Sequence, residues 1–177
     1  GAVEVGLAGE LGAFGAGLYN DGVSPNIVYC VFRENAADAE GGAVFNTNGA
    51  HPLFYNTFFI GNQARNGGAM ANLDSAPILY ACVFINNRAS EHGGALHTAT
   101  SLPGDPAHEL TVLDTQFIAN IAYHGGAFYN EPGTIGYMSD SILLANEAEV
   151  MGGAVFSAAA AAFRADSTRF LFNAAQF

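Results

Sequence analysis

The chain has no tryptophan and no lysine, and its five basic residues are all arginines (Arg33, Arg65, Arg88, Arg164, Arg169). Only 12% of its 177 residues are charged, and the net charge is −11. Such a surface repels phosphate backbones, which excludes nucleic acid as a partner, and it disfavours anionic membranes. Long apolar runs are also missing. No stretch approaches the roughly 20 residues of a spanning helix, so the chain is expected not to span a membrane. The blandest segment, Ala158 to Phe163, is far shorter, and its Ala158–Ala162 run reads as a variable loop. There are only two cysteines, Cys30 and Cys82, too few for a disulfide framework.

What the chain has in quantity is glycine (22 residues), phenylalanine (14) and a 50% share of hydrophobic residues. The glycines are periodic. Gly-Gly-Ala begins at Gly41, Gly67, Gly93, Gly125 and Gly152, at intervals of 26, 26, 32 and 27 residues. A degenerate copy starts at Gly15. A second motif, Phe-x-x-Asn, runs in step: Phe32 to Asn35, Phe59 to Asn62, Phe84 to Asn87, Phe117 to Asn120 and Phe170 to Asn173. Leu143 to Asn146 fills the remaining slot. Two motifs sharing one period mean a repeat protein. The one long interval holds a Pro- and Gly-containing stretch, residues 98–108, which reads as a loop insertion.

Between the motifs the residues alternate and are rich in β-branched and aromatic types, as in Ile27 to Phe32 and Ile78 to Phe84. That is strand chemistry, not helical periodicity. The expected fold is all-β: a right-handed parallel β-helix of about six coils of roughly 26 residues, forming one domain over residues 1–177. At about 4.8 Å per coil the rod is roughly 29 Å long. Alignment predicts stacked columns. Phe32, Phe59, Phe84, Phe117, Leu143 and Phe170 point inward. So do Cys30, Thr57, Cys82, Thr115, Ser141 and Thr168. Val31, Phe58, Val83, Gln116, Ile142 and Arg169 point outward. The asparagines Asn35, Asn62, Asn87, Asn120, Asn146 and Asn173 form a ladder in which each amide donates to the next coil, with left-handed backbone tolerated there. An alanine column (Ala37, Ala64, Ala89, Ala122, Ala148, Ala175) lines a tight corner. Two strands per coil are clear, and a third is expected to be short or irregular. The cysteines lie two coils apart in one column, roughly 10 Å, too far for a disulfide, so two free, buried thiols are expected.

Paired Gly-Gly-Ala-[Ile/Leu/Val] and Phe-x-x-Asn motifs resemble the repeats of chlamydial polymorphic outer-membrane proteins and of similar bacterial β-helix surface proteins. Here the first motif reads Gly-Gly-Ala-Val at Gly41 and Gly152 and Gly-Gly-Ala-Leu at Gly93. Met70 and Phe128 depart from the pattern. The resemblance runs from about Gly15 onward. It implies an extracellular or outer-membrane rod, non-enzymatic and adhesive, whose partners are host or cell-surface proteins or glycans. No segment reads as the autotransporter barrel of such proteins. The repeat runs almost to Phe177 without a polar cap, so the chain is expected to be a piece of a longer rod or a subunit joined end to end into a filament.

Few residues suggest chemistry. His92 and His124 precede Gly-Gly pairs on neighbouring coils, in a column with Glu40, Asn66 and Met151. They are the one candidate metal pair, with Glu91 nearby, but they lack a third ligand, and the simpler reading is an exposed polar turn. Asp114 and Asp140 share a column on adjacent coils and point outward. In a pectate-lyase-like enzyme acting on acidic polysaccharide, such carboxylates serve as acid and base or bind calcium. No lysine accompanies them, and Asp166 is out of register, so a solvated face is the plainer reading and no cofactor is expected. His97 aligns with Phe45, Ala71, Tyr129 and Phe156 and reads as a hydrogen-bonded interior histidine. The asparagine ladder reads as structural.

Overall fold

The computed structural model describes residues 14–101 and 109–176. Among these the chain is all-β, with every strand pair parallel and in register with the motifs. It winds as a β-solenoid of about six turns. Residues 102–108 of the expected loop insertion lie outside the described residues.

The coils make four short strands each, three in the first described coil, not two clear strands and an irregular third, and like strands stack into four sheets. Sheet I follows the Gly-Gly-Ala motif: Leu18–Asp21, Val44–Thr47, Met70–Leu73, Leu96–Ala99, Phe128–Asn130 and Val155–Ser157. Sheet II runs from Asn26–Val28 through Leu53–Tyr55, Ile78–Tyr80, Leu110–Leu113 and Ile135–Ser139 to Ala162–Asp166. Sheet III carries the phenylalanine motif, from Val31–Arg33 to Arg169–Leu171. Sheet IV holds Gln63–Asn66, Arg88–His92, Ile121–His124, Glu147–Met151 and Ala174–Ala175. Sharp bends separate II from III and III from IV, and they explain the extra strands. In one bend column Tyr29, Asn56, Ala81, Asp114, Asp140 and Ser167 have positive φ, and in the other Glu34, Gly61, Asn86, Ala119, Ala145 and Phe172 do. The left-handed residue is thus the one before each ladder asparagine, not the asparagine itself.

That displacement has a reason. The ladder side chains point inward and are fully committed. Asn62, Asn87, Asn120 and Asn146 are buried. Each Nδ2 donates to the next coil's Oδ1 at 2.9 Å, from Asn35 through to Asn173. The same Oδ1 also accepts the backbone N–H of the preceding asparagine. The second Nδ2 proton meets the motif phenylalanine carbonyl one coil back, as in Asn87 to Phe59 O at 3.0 Å. The asparagine therefore satisfies backbone groups that the bend removes from the strand ladder.

Beside the ladder the core is a phenylalanine stack. Rings Phe32–Phe59, Phe59–Phe84 and Phe84–Phe117 lie 5.1, 4.4 and 4.9 Å apart and within 10° of parallel. Phe54, Leu79, Met70, Leu96, Leu110, Phe128 and Met138 complete the interior. The Gly-Gly pair makes the turn from IV to I. Its first glycine has positive φ, as at Gly93 (63°), and a Cβ on its second, as at Gly94, would overlap the carbonyl oxygen of Gly126. Ala158–Ala162 forms a tight turn closed by Ala161 N–H to Ala158 O at 3.0 Å, with Ala160 at φ 63°.

Both thiols are free, but only Cys82 is buried; Cys30, on the first described coil, is partly exposed. Burial pushes the Cys82 thiol up to about 11. At the other end Phe170 is 47% exposed.

Candidate functional site

Side chains alternate along sheet I. Leu96 points into the core, so the next residue, His97, points to the opposite face. His97 is nevertheless buried, together with Phe45, Ala71 and Tyr129 of its column. The expectation that this column is interior is therefore corrected: it is buried outside the core. What covers it is the end of sheet IV. Phe14, Glu40, Asn66, His92, His124 and Met151 stand in register just before the Gly-Gly turns. The turn folds one column against the other and forms an outer corner lined by aromatic, imidazole and carboxylate groups. His92 and His124 consequently are half-buried, not exposed turn residues.

His97 is the centre of this corner. Its Nδ1 lies 3.1 Å from Glu40 Oε2, and its Nε2 lies 3.2 Å from Glu131 Oε1. Glu40 reaches His97 past Ala71, the smallest member of the His97 column, and Asn66 Nδ2 donates to the other Glu40 oxygen at 2.8 Å. Asn66 Oδ1 also accepts the backbone N–H of His92 at 3.2 Å. Glu131 is brought in by its N–H, which donates to Thr98 O at 2.9 Å. A carboxylate only accepts, so an imidazole bonded to two of them donates from both nitrogens and is charged. Burial opposes that charge, but the hydrogen bonds to Glu131 and Glu40 outweigh it, and the pKa of His97 is raised. The bond from His97 holds the Glu131 carboxyl below its usual range.

His92 stacks on Tyr129, with ring centroids 4.2 Å apart. Burial and the charge of His97 lower its pKa. His124 lies in register with His92, with rings 5.6 Å apart, as the alignment expects. The group that could hold a metal joins His92 to His97 and Glu131, and His124 is not in it. Ligand atoms of His92, His97 and Glu131 all lie within 4.8 Å of one another. Reading the sequence missed this set because Glu131 and His97 sit in other columns. The only signal was that His97 replaces an apolar residue in its column. Beyond Glu40 and Phe45 the corner opens into a cavity of about 210 Å³ lined also by Phe14, Asn72, Leu73 and Ala99.

A second ladder, unremarked in the sequence reading, runs along sheet I: Asn20 donates to Asn46, and Asn46 to Asn72, at 2.7 and 2.8 Å. It breaks at Thr98, whose shorter side chain leaves Asn72 Nδ2 and Asn130 Oδ1 without partners.

Asp114 and Asp140 are the exposed, left-handed residues of the bend between sheets II and III. Asp140 Oδ2 accepts the Ser139 hydroxyl at 2.6 Å. Aspartate is among the few residues that tolerate this backbone region, which accounts for both positions. Glu91, also weighed as a metal neighbour, projects towards Arg65 instead, at 4.0 Å.

The coil that carries His92 and His97 also carries both motifs, and residues 81–99 match the Chlamydia polymorphic membrane protein (Chlamydia_PMP) repeat. Over that coil the chain is similar to the chlamydial repeat. The Phe-x-x-Asn and Gly-Gly-Ala resemblance is thus borne out, together with the solenoid that it implies. No curated protein and no solved structure matches the chain. Among the described residues no helix is long and apolar enough to cross a membrane.

Proposed function

We propose that this chain is part of a non-enzymatic, surface-displayed β-helix rod that binds other cells or molecules through its sides. The match of the repeat to a surface-protein family supports the location, at the outer membrane or outside the cell. The observation that carries the adhesive reading is an apolar strip on the outer faces of sheets II and III. Tyr29 is 69% exposed, Val31 60%, Tyr80 44% and Ile78 42%. Tyr29, Tyr55 and Tyr80 follow one another along it, edge to face and then tilted, at 5.5 and 5.4 Å between ring centroids. On a chain of net charge −11, repelled by anionic surfaces, such a strip favours contact through rings and hydroxyls. A protein or glycan of a host or neighbouring cell fits that chemistry.

The test is binding of the full chain to cells and to a glycan array, compared with Tyr29→Ala and Tyr80→Ala. Both substitutions are expected to weaken capture at least tenfold without altering the fold. Equal binding by all three proteins overturns the reading. So does turnover of an acidic polysaccharide that disappears in Asp114→Ala and Asp140→Ala, with or without calcium. End-to-end extension is a separate part of the proposal, supported by parallel sheets whose strands pair from coil to coil along one axis. Filaments in electron micrographs are the expected result, and monodisperse particles at all concentrations contradict it.

A further inference from the structure

We infer that the outer corner holds a divalent transition-metal site, with His92, His97 and Glu131 as ligands and Glu40 as the carboxylate that orients His97. The inference is independent of adhesion and concerns only these residues.

Geometry comes first. Two donors bound to one tetrahedral ion at about 2.0–2.1 Å are about 3.3–3.4 Å apart. His97 Nε2 and Glu131 Oε1 are already 3.2 Å apart, the length of such an edge. The ring of His92 supplies a third donor within 4.8 Å of both. Closing that distance falls to the ring of His92, which is stacked between Tyr129 and His124 and is free to turn about its side-chain bonds. The fourth position faces solvent beside Glu131, whose side chain is 32% exposed, and is left to water or an outside ligand.

The supporting residues match what metal-bound histidines need. A ligating imidazole donates its other N–H to a carboxylate, which fixes the tautomer and the ring. Glu40 does this for His97 Nδ1 at 3.1 Å, and Asn66 in turn fixes Glu40. Asn66 also anchors the backbone of His92, so one side chain braces two of the ligands' positions.

Charge points the same way. Two carboxylates face one imidazolium, leaving one negative charge in excess in a half-buried corner. Binding a divalent ion replaces the Nε2 proton of His97, so one proton leaves as the ion enters, and the corner becomes neutral. Two nitrogens and one carboxylate oxygen favour zinc, cobalt or nickel over calcium or magnesium, which prefer all-oxygen shells.

The experiment is calorimetric titration of the full chain with Zn²⁺, and visible spectroscopy with Co²⁺. The expected result is one ion per chain, micromolar or tighter at pH 7.5, with the strong d–d bands of a tetrahedral cobalt site. Affinity should fall at least tenfold at pH 6, because protons compete for His97. His92→Ala and Glu131→Gln, which leave the core untouched, should each weaken zinc at least tenfold. Glu40→Gln should weaken it by a smaller factor, and His51→Ala, at an exposed distant residue, should not. Circular dichroism verifies that the variants are folded. Binding weaker than millimolar overturns the site. So does affinity indifferent to His92→Ala and Glu131→Gln, which would be diffuse attraction to an acidic surface.

Discussion

His97 Nδ1 and Glu40 Oε2 lie 3.1 Å apart although 57 residues separate them in the chain. The contact joins coils that are not even neighbours. With the bond from His97 to Glu131, it ties the outer corner across the stack on the face of sheet I opposite the core.

That tie is pH-dependent in a defined sense. The folded pKa of His97 is raised above the ordinary 6.5, so its contribution to stability is complete below pH 6.5 and is lost as pH rises through the raised value. Glu131 is lowered from 4.5, so its contribution is present above pH 4.5 and is lost as pH falls through the depressed value. His92, lowered from 6.5, acts oppositely to His97 and loses its contribution as pH falls below 6.5. Urea unfolding in a chelator, wild type against His97→Gln, isolates the first term. The stability difference between the two proteins should be largest below pH 6.5 and shrink as pH rises above it.

The asparagine ladder should be the most sensitive polar feature. Asn87→Ala removes four hydrogen bonds together, taking the acceptor from the Asn62 N–H and leaving Asn62 Nδ2, the Phe59 carbonyl and Asn120 Oδ1 each one partner short. At roughly 1–3 kcal/mol per buried unsatisfied group, partly relaxed, the expected loss is about 3–5 kcal/mol in urea unfolding. Asp114→Ala, on the exposed bend, should cost about 1 kcal/mol or less, since alanine already occupies that position at Ala81.

Packing predicts a similar contrast within one strand. Phe84 is stacked between Phe59 and Phe117, and Phe84→Ala should cost about 3–5 kcal/mol, part of it from the emptied stack. Val83→Ala, on the outward face, should cost about 1 kcal/mol or less. Equal losses at the two positions would contradict the alternation.

The two thiols should separate in labelling. Cys82 is fully buried with its thiol near 11, whereas Cys30 is partly exposed. A thiol reagent at pH 8 should modify Cys30 at least tenfold faster, with Cys82 reacting fully only after denaturation. Mass spectrometry of the labelled peptides gives the ratio.

The chain order alone determined the repeat, the coil count, the parallel stacking and the inward aromatic column. These follow from periodicity, because a side chain's face is fixed by alternation and its height by the repeat length. The same logic placed the asparagine ladder correctly and found His92 beside His124. It could not place the corner. Whether a residue opposite the core is bare or covered depends on how sharply Gly93 and Gly94 turn sheet IV back onto sheet I, a three-dimensional quantity that no column alignment contains. Only the folded chain therefore decided that His97 is buried outside the core, that the small Ala71 lets Glu40 reach it, and that Glu131 completes the set with His92. Sequence spacing measures distance along and around the coil, whereas the chemistry of this corner depends on side chains crossing between columns.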